Sequence, residues 1–303
     1  MVVITHGDGD GIISASFYLK ARDLKKETIY FTSPASLKDA LCRAMFRRNP
    51  KELFIFDLSG NRQTIRLASA WERVTWIDHH EWEPEERFEN IEFVVKRSSS
   101  AAQIVAEYFN LDSRLIEIAN EIDTNSVKSE EAEYLRSLIG AIKWKYSKDQ
   151  KVLANRLRAL CFFLAFKDFS LLFRYENQKL VREYEAYLEK SLEAVLKGLK
   201  VEEVNGYKVA VCELTRFLPI YYITNNLLSH NEAPFDIIGV LVHSATKNNL
   251  VTKIELRSHT GKNVLNIAKR LNGGGHVNAA GASVPEFFNH ERFLEEVRKN
   301  LNV

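Results

Sequence analysis

Three apolar runs in this sequence end in residues that bind cations or move protons. Val74-Thr75-Trp76-Ile77 leads into Asp78-His79-His80, Val2-Val3-Ile4-Thr5 into His6-Gly7-Asp8-Gly9-Asp10-Gly11, and Leu53-Phe54-Ile55-Phe56 into Asp57. Neutral imidazole is a common metal ligand, and a neighbouring carboxylate fixes its tautomer by accepting the other ring proton. Singly, each ending has a plainer reading: a polar turn for Asp78-His79-His80, a helix cap for Asp8 or Asp57. In extended chain alternate side chains share a face, which sets His6, Asp8 and Asp10 on one side, repelling one another unless a cation sits between them. Three such endings gathered at one sheet edge favour a metal site over three unrelated caps.

The elements that would gather them alternate. Strands are expected at Val2–Thr5, Thr28–Thr32, Leu53–Leu58 and Val74–Ile77, with helical patterns from Ile12 and over roughly 35–47 and 61–72. This alternation predicts an α/β fold with a doubly wound, mainly parallel sheet, whose ligands sit at the carboxyl ends of the strands. Ser98-Ser99-Ser100 precedes an amphipathic helix and either caps it or lines the site; a helix over about 112–122 then delivers Asp123, a candidate fourth carboxylate. Residues 126–200 read as helix throughout, with an apolar stripe at Leu180, Tyr184, Leu188, Leu192, Val195 and Leu199 that suits packing rather than chemistry. From Val201 strands return (Tyr207–Cys212, Asp236–Val242, Leu250–Leu256), with helices near 219–229 and 263–272. The expected organisation is a catalytic domain over 1–125, a helical connector over 126–200 and a smaller α/β domain over 201–303.

The last domain carries the other candidate site. Between His243 and Pro285 stand six basic residues, Lys247, Lys253, Arg257, Lys262, Lys269 and Arg270, against one acid, Glu255. Arg257-Ser258 ends a strand, and Gly273-Gly274-Gly275-His276 follows the helix. Consecutive glycines let backbone N–H groups converge on an anion, a helix N-terminus after them would favour it further, and a guanidinium grips phosphate bidentately.

Composition bounds the function. With 303 residues, 46% hydrophobic and 27% charged, the chain is an ordinary globular protein of two domains. A net charge of +2 supplies no global basic field, so anion binding must be local. Cys42, Cys161 and Cys212 are odd in number and widely spaced, which argues against disulfides and a cysteine zinc site. The longest apolar run, Ala159–Phe166, is too short to span a bilayer, no basic leader precedes the first strand, and a cytoplasmic protein without membrane partners is expected.

Together, His6-Gly7-Asp8-Gly9-Asp10-Gly11, Asp57, Asp78-His79-His80, Asp123 and Gly273-Gly274-Gly275-His276 running on to Ala279-Ala280-Gly281 resemble the DHH phosphoesterase superfamily with its DHHA1 domain. The resemblance covers essentially the whole chain and is nearest the short-chain branch of nano-RNases (oligoribonucleases) and 3′-phosphoadenosine-5′-phosphate phosphatases. It implies a DHH domain, a DHHA1 substrate domain and a dinuclear site, usually manganese with magnesium as the alternative. Asp57 would bridge the metals, His6 and Asp8 would complete one, and Asp10, His79 and Asp123 the other. Asp78 would orient a histidine and His80 would contact the substrate or assist the leaving group. Arg257, Ser258, Gly273, Gly274, Gly275 and His276 would hold a phosphate. The spacing of His6 from Asp8 and Asp10 is tighter than in nano-RNases and matches the three acids of RecJ.

The expected activity is metal-dependent hydrolysis of short single-stranded oligonucleotides to 5′ mononucleotides, 3′-to-5′, with phosphate capture in the second lobe measuring length. The alternatives are a 3′-phosphoadenosine-5′-phosphate phosphatase or (di)nucleotide phosphodiesterase, and a nucleic-acid-binding scaffold with a relict site. Dimerisation through the helical region stays open.

Overall fold

The structure, a computed structural model, describes residues 1–46, 51–215, 218–229, 235–245 and 250–300. Lys247 and residue 47 lie outside these. The chain divides into two compact units, residues 1–185 and 186–303.

In the first unit β1 (Val2–His6), β2 (Ile29–Thr32), β3 (Glu52–Phe56), β4 (Arg73–Asp78) and β5 (Ile91–Val95) form one parallel sheet in the order β2-β1-β3-β4-β5. Period-two alternation splits each strand between two cores. Val2, Ile4, Leu53, Ile55 and Trp76 pack under α2 (Leu37–Met45) and α3 (Arg62–Ala68). Val3, Phe54, Phe56 and Ile77 face the other layer, which contains α1 (Gly9–Ala21), α4 (Ala101–Tyr108) and α5 (Leu115–Asp123). Burial on both faces explains why these strands read as unbroken apolar runs. The strand order reverses direction between β1 and β3, the switch point at which such sheets open a crevice.

The helical stretch is divided. α6 (Glu130–Tyr146) and α7 (Gln150–Phe166) bury Leu135, Leu138, Leu157, Leu160 and Leu164 in the same core as α1. The division between units falls inside α8 (Tyr175–Lys197). Among the described residues no helix is long and apolar enough to cross a membrane.

The second unit holds a mixed sheet, β10-β11-β9-β8-β7-β6, made of β6 (Lys200–Val204), β7 (Tyr207–Leu214), β8 (Ile237–Ala245), β9 (Leu250–Arg257), β10 (Gly274–His276) and β11 (Ala279–Val284). Among the described residues only β7 and β8 pair in parallel here, and α9 (Ile220–Ser229) lies between them in the chain. α10 (Val264–Arg270) and α11 (His290–Asn300) bury Val264, Ile267, Phe293 and Val297 in the unit's core.

Candidate metal centre and phosphate site

His6 closes β1, and Asp8 is the N-cap of α1. Asp8 Oδ1 accepts from the Gly11 N–H at 3.1 Å while its Oδ2 lies 2.7 Å from His6 Nδ1, so one carboxylate caps the helix and faces the site. Gly11 is required here, because a Cβ would stand 2.3 Å from the His6 carbonyl oxygen. Burial opposes the charge on Asp8, but His6, Lys143 and the Gly11 N–H outweigh it and hold the carboxyl below its usual range.

Asp10, in the first turn of α1, accepts from two amides at the start of α4, Ala101 N at 2.6 Å and Ala102 N at 2.7 Å. A helix N-terminus suits a carboxylate. Even so, burial and the neighbouring Asp123 and Asp8 push its carboxyl up to about 8. Of the serines before α4, Ser100 caps the helix, accepting from Gln103 N at 3.2 Å.

Asp57 follows β3 with φ +55°, left-handed backbone that non-glycine residues adopt at a cost and that clusters at functional sites. It is 2% exposed, and its Oδ2 has no hydrogen-bond partner among the described residues. That oxygen is 3.6 Å from His6 Nδ1, and Oδ1 is 3.6 Å from His79 Nε2, so Asp57 stands between the two histidines. Burial and the charges of Asp10, Asp8 and Asp123 raise its carboxyl well above the usual range.

β4 supplies the rest. His79 Nδ1 lies 3.3 Å from the Ser98 carbonyl, which accepts its proton and turns Nε2 toward Asp57, Asp123 (3.5 Å) and Asp10 (3.7 Å). His80 turns the other way, Nδ1 against Asp78 Oδ1 at 2.7 Å. Burial disfavours the charged ring, but Asp78, with Asp123 and Asp10 beyond, pushes His80 up to about 9. Asp78 is fully buried, and its bonds from His80 and Trp82 overcome that burial and hold it low. Asp123 ends α5, where burial and Asp8 raise it to about 7.

Two trios emerge with their donor atoms mutually within 4.8 Å: His6, Asp8 and Asp57, and Asp10, His79 and Asp123. A third grouping joins Asp57 to Asp78, His79 and His80. The donors fit divalent cations. Buried carboxylates that raise one another's pKa, and a buried Asp57 oxygen with no donor, form a region of negative potential that positive charge would relieve. A donor set dominated by oxygen with two imidazoles suits manganese or magnesium better than a soft metal.

In the second unit Arg257 ends β9 opposite Ala279 of β11 and Ile238 of β8. One arm of its guanidinium donates to the Leu256 carbonyl at 2.8 Å and lies 3.5 Å from Glu255, so part of the fork is already engaged. The Ser258 N–H donates to Asn278 O at 2.9 Å, and its hydroxyl accepts from Lys262 N at 2.8 Å. The expected helix start after the glycines is not there. Gly274–His276 is a strand that hairpins onto β11, because Ser258 and Val264 bind the Val277–Asn278 turn to the β9–α10 loop. Gly273 and Gly275 serve close approach: a Cβ would lie 2.1 Å from Gly281 O and 2.6 Å from Ala279 O respectively, and Gly275 has φ +133°. Arg257, Ser258 and the glycine-histidine strand therefore share one end of this sheet.

Lys143 of α6 is a residue that the sequence patterns did not single out. Its Cε is 3.8 Å from where a Gly7 Cβ would stand, and its charge helps lower Asp8. A lysine on an amphipathic helix gives no signal that separates it from a solvated face.

Comparison places these features among known proteins. The family described as the DHH family N-terminal domain matches residues 1–138, and the DHHA1 domain matches 220–302. No curated protein sequence matches. Among solved structures, the pGpG-specific phosphodiesterase PggH of Vibrio cholerae is 17% identical, with 99% of this chain and 98% of that one aligned at a TM-score of 0.61. An exopolyphosphatase-related protein of Bacteroides fragilis is 18% identical over 100% and 93% of the two chains, at 0.54. RecJ of Thermus thermophilus in complex with Mn2+ is 15% identical over 93% of this chain and 49% of its own, also at 0.54. At these identities the likeness is one of fold.

Proposed function

Since the chain belongs to the DHH phosphoesterase superfamily and carries its DHHA1 domain, we propose that it is a metal-dependent phosphodiesterase acting on short oligonucleotides. In this reading it releases 5′ mononucleotides from the 3′ end of RNA or DNA, with two Mn2+, or Mg2+, as cofactor. The observation that carries it is the buried Asp57 carboxylate, set between His6 and His79 with one oxygen unsatisfied, at the meeting point of two donor trios. His6 and Asp8 would hold one cation, Asp10, His79 and Asp123 the other, and Asp57 both. Cations bound there would supply Lewis acidity, activating water near neutral pH and neutralising charge that develops on the transferring phosphoryl group.

The chain's own side chains do the rest. Asp10 is held by two amides and His79 by the Ser98 carbonyl, so both donors are oriented before anything binds. Asp78 holds His80 by Nδ1 and so orients the ring, and Nε2 is the atom that would donate a proton to the departing oxygen. Lys143 adds positive charge beside Asp8 for an anionic substrate. Within the second unit Arg257, Ser258, the glycine strand and His276 would offer a grip for a phosphate group. A near-neutral chain with one such grip suits a short ligand better than a long strand tracked along a groove.

A dinucleotide is the shortest such substrate, and the fold likeness to PggH over nearly the whole of both chains supports including it. The full complement of donors argues against a relict scaffold. The test is hydrolysis of 5′-labelled RNA and DNA from two to about twenty-four nucleotides with Mn2+, beside 3′-phosphoadenosine-5′-phosphate and pGpG. Laddering from the 3′ end, fastest on the shortest RNA and lost in Asp57→Asn, is the expected result. Release of the labelled terminal nucleotide alone would reverse the polarity, activity on the bisphosphate alone would make it a phosphatase, and no activity would restore the scaffold.

A further inference from the structure

Past Asp78-His79-His80 the chain runs through an acid-rich loop without a regular element before β5, and its first aromatic residue folds back on the strand end. Trp82 Nε1 donates to Asp78 Oδ2 at 2.5 Å, while the Trp82 backbone N–H donates to the His80 carbonyl at 3.1 Å. The other oxygen, Asp78 Oδ1, accepts from His80 Nδ1. Ser59 Oγ is a weaker third contact, 3.4 Å from Oδ2. A carboxylate turns as a rigid plane, so a donor on one oxygen sets the direction of the other. One buried acid is thus clamped between an indole and an imidazole.

The indole is itself fixed. Its ring packs against Trp76 at 5.5 Å and edge-on to Phe93 at 6.2 Å. Gly60 lies beneath, where a Cβ would come within 2.9 Å of Trp82 and 2.8 Å of Trp76. Farther along the loop, Glu86 accepts from Arg62 Nε at 2.6 Å and Arg66 Nε at 2.7 Å, strapping the segment to α3. Trp76 offers the contrast: its N–H goes to the Leu58 carbonyl at 2.8 Å, an ordinary backbone partner. Trp82 spends its donor on the acid that holds His80.

The geometry points to Trp82 as a positioning residue for His80, acting through Asp78, in a loop shaped to keep the indole N–H aimed at the carboxylate. Its effect on turnover rests on the hydrolytic reading above; its effect on the His80 ring does not. A donor to an ionised carboxylate in a buried setting is among the stronger hydrogen bonds, and its loss leaves Asp78 free to rotate away from the imidazole.

Trp82→Phe keeps an aromatic ring over Gly60 and removes the donor. In cation-free protein labelled with 15N-histidine, the wild type is expected to show a slowly exchanging, downfield Nδ1–H for His80, and Trp82→Phe to broaden or lose it. With Mn2+ and a dinucleotide, kcat should fall about tenfold with KM within about twofold, as when an interaction made in the transition state is removed. If Trp82→Phe does not fold, benzothienylalanine at position 82, which replaces N–H by sulfur at nearly constant shape, carries the same test. Unchanged His80 signals in a folded variant would overturn the proposal, even if stability or rate dropped. If the wild type hydrolyses nothing while the His80 signals move as expected, the positioning role stands and the hydrolytic reading fails.

Discussion

Without a cation the first unit should lose stability as pH rises, and a divalent cation should remove that dependence. Asp10 is pushed up to about 8 and Asp57 well above the usual range, so the folded chain keeps protons near pH 6 that the unfolded chain has released. Where the folded state binds more protons, unfolding becomes easier with rising pH, by about 1.4 kcal/mol per pH unit for each proton. Asp10 alone gives a loss of about 3 kcal/mol between pH 5 and 7, and Asp57, raised by burial and by Asp10, Asp8 and Asp123, acts with the same sign. Asp123, at about 7, adds to the fall until it ionises. His80, at about 9, acts with the same sign above pH 6.5, where only the unfolded ring discharges. Asp8 has the opposite sign, but its low carboxyl contributes fully by pH 5 and leaves the window untouched. Binding a cation requires these carboxylates ionised and so expels the protons. Urea unfolding of chelator-treated protein from pH 5 to 8 reads the slope. Titration of Mn2+ at pH 6 in two buffers of different ionisation enthalpy counts the protons released, and one or more per protein is expected. A flat profile without metal, together with no proton release, would refute the reasoning.

Other perturbations test single interactions. Asp57→Asn should abolish cation binding and hydrolysis while the unit stays folded, because Asn tolerates left-handed backbone that Ala would strain; calorimetry and circular dichroism check both halves. Asp10→Ala orphans two amides at the start of α4 and should cost about 1–3 kcal/mol for each in urea unfolding. Gly11→Ala should destabilise the first unit by about 3 kcal/mol, at the upper end for overpacking, since the clash is with backbone, and a lowered unfolding midpoint reads it. Lys143→Met should raise KM several-fold in steady-state assays and leave kcat within about twofold, as expected for uniform substrate binding.

The sheet of the first unit was legible because strands buried on both faces announce themselves as apolar runs, and each ends in its polar residue. The side chains gathered at this edge were legible for the same reason: His6 and Asp57 sit where an apolar run stops, and His79 lies just past another such end at Asp78. β5 was not, since Ile91–Val95 is short and follows an acid-rich loop that blurs its start. β10 was hidden by its own glycines, which make a strand look like flexible chain. The packing of α6 and α7 on α1 was beyond reach, because an amphipathic stripe shows that a helix is buried on one side without naming the neighbour. Trp82 and Lys143 were missed because their roles depend on which side chain they meet, which periodicity does not encode.

The donors come from positions 6 to 123, and Asp10 finds its two amides about ninety residues away along the chain. No fragment short of β1, α1, β3, β4 and α5 docked together assembles the full set of donors. A cation therefore cannot nucleate this fold; it can only be captured by a nearly finished one. It should slow unfolding while leaving the folding rate almost unchanged, the behaviour of an interaction formed after the transition state. In a cell short of divalent cations, such a chain would be made at its normal rate and lost sooner, so its lifetime would track the metal supply.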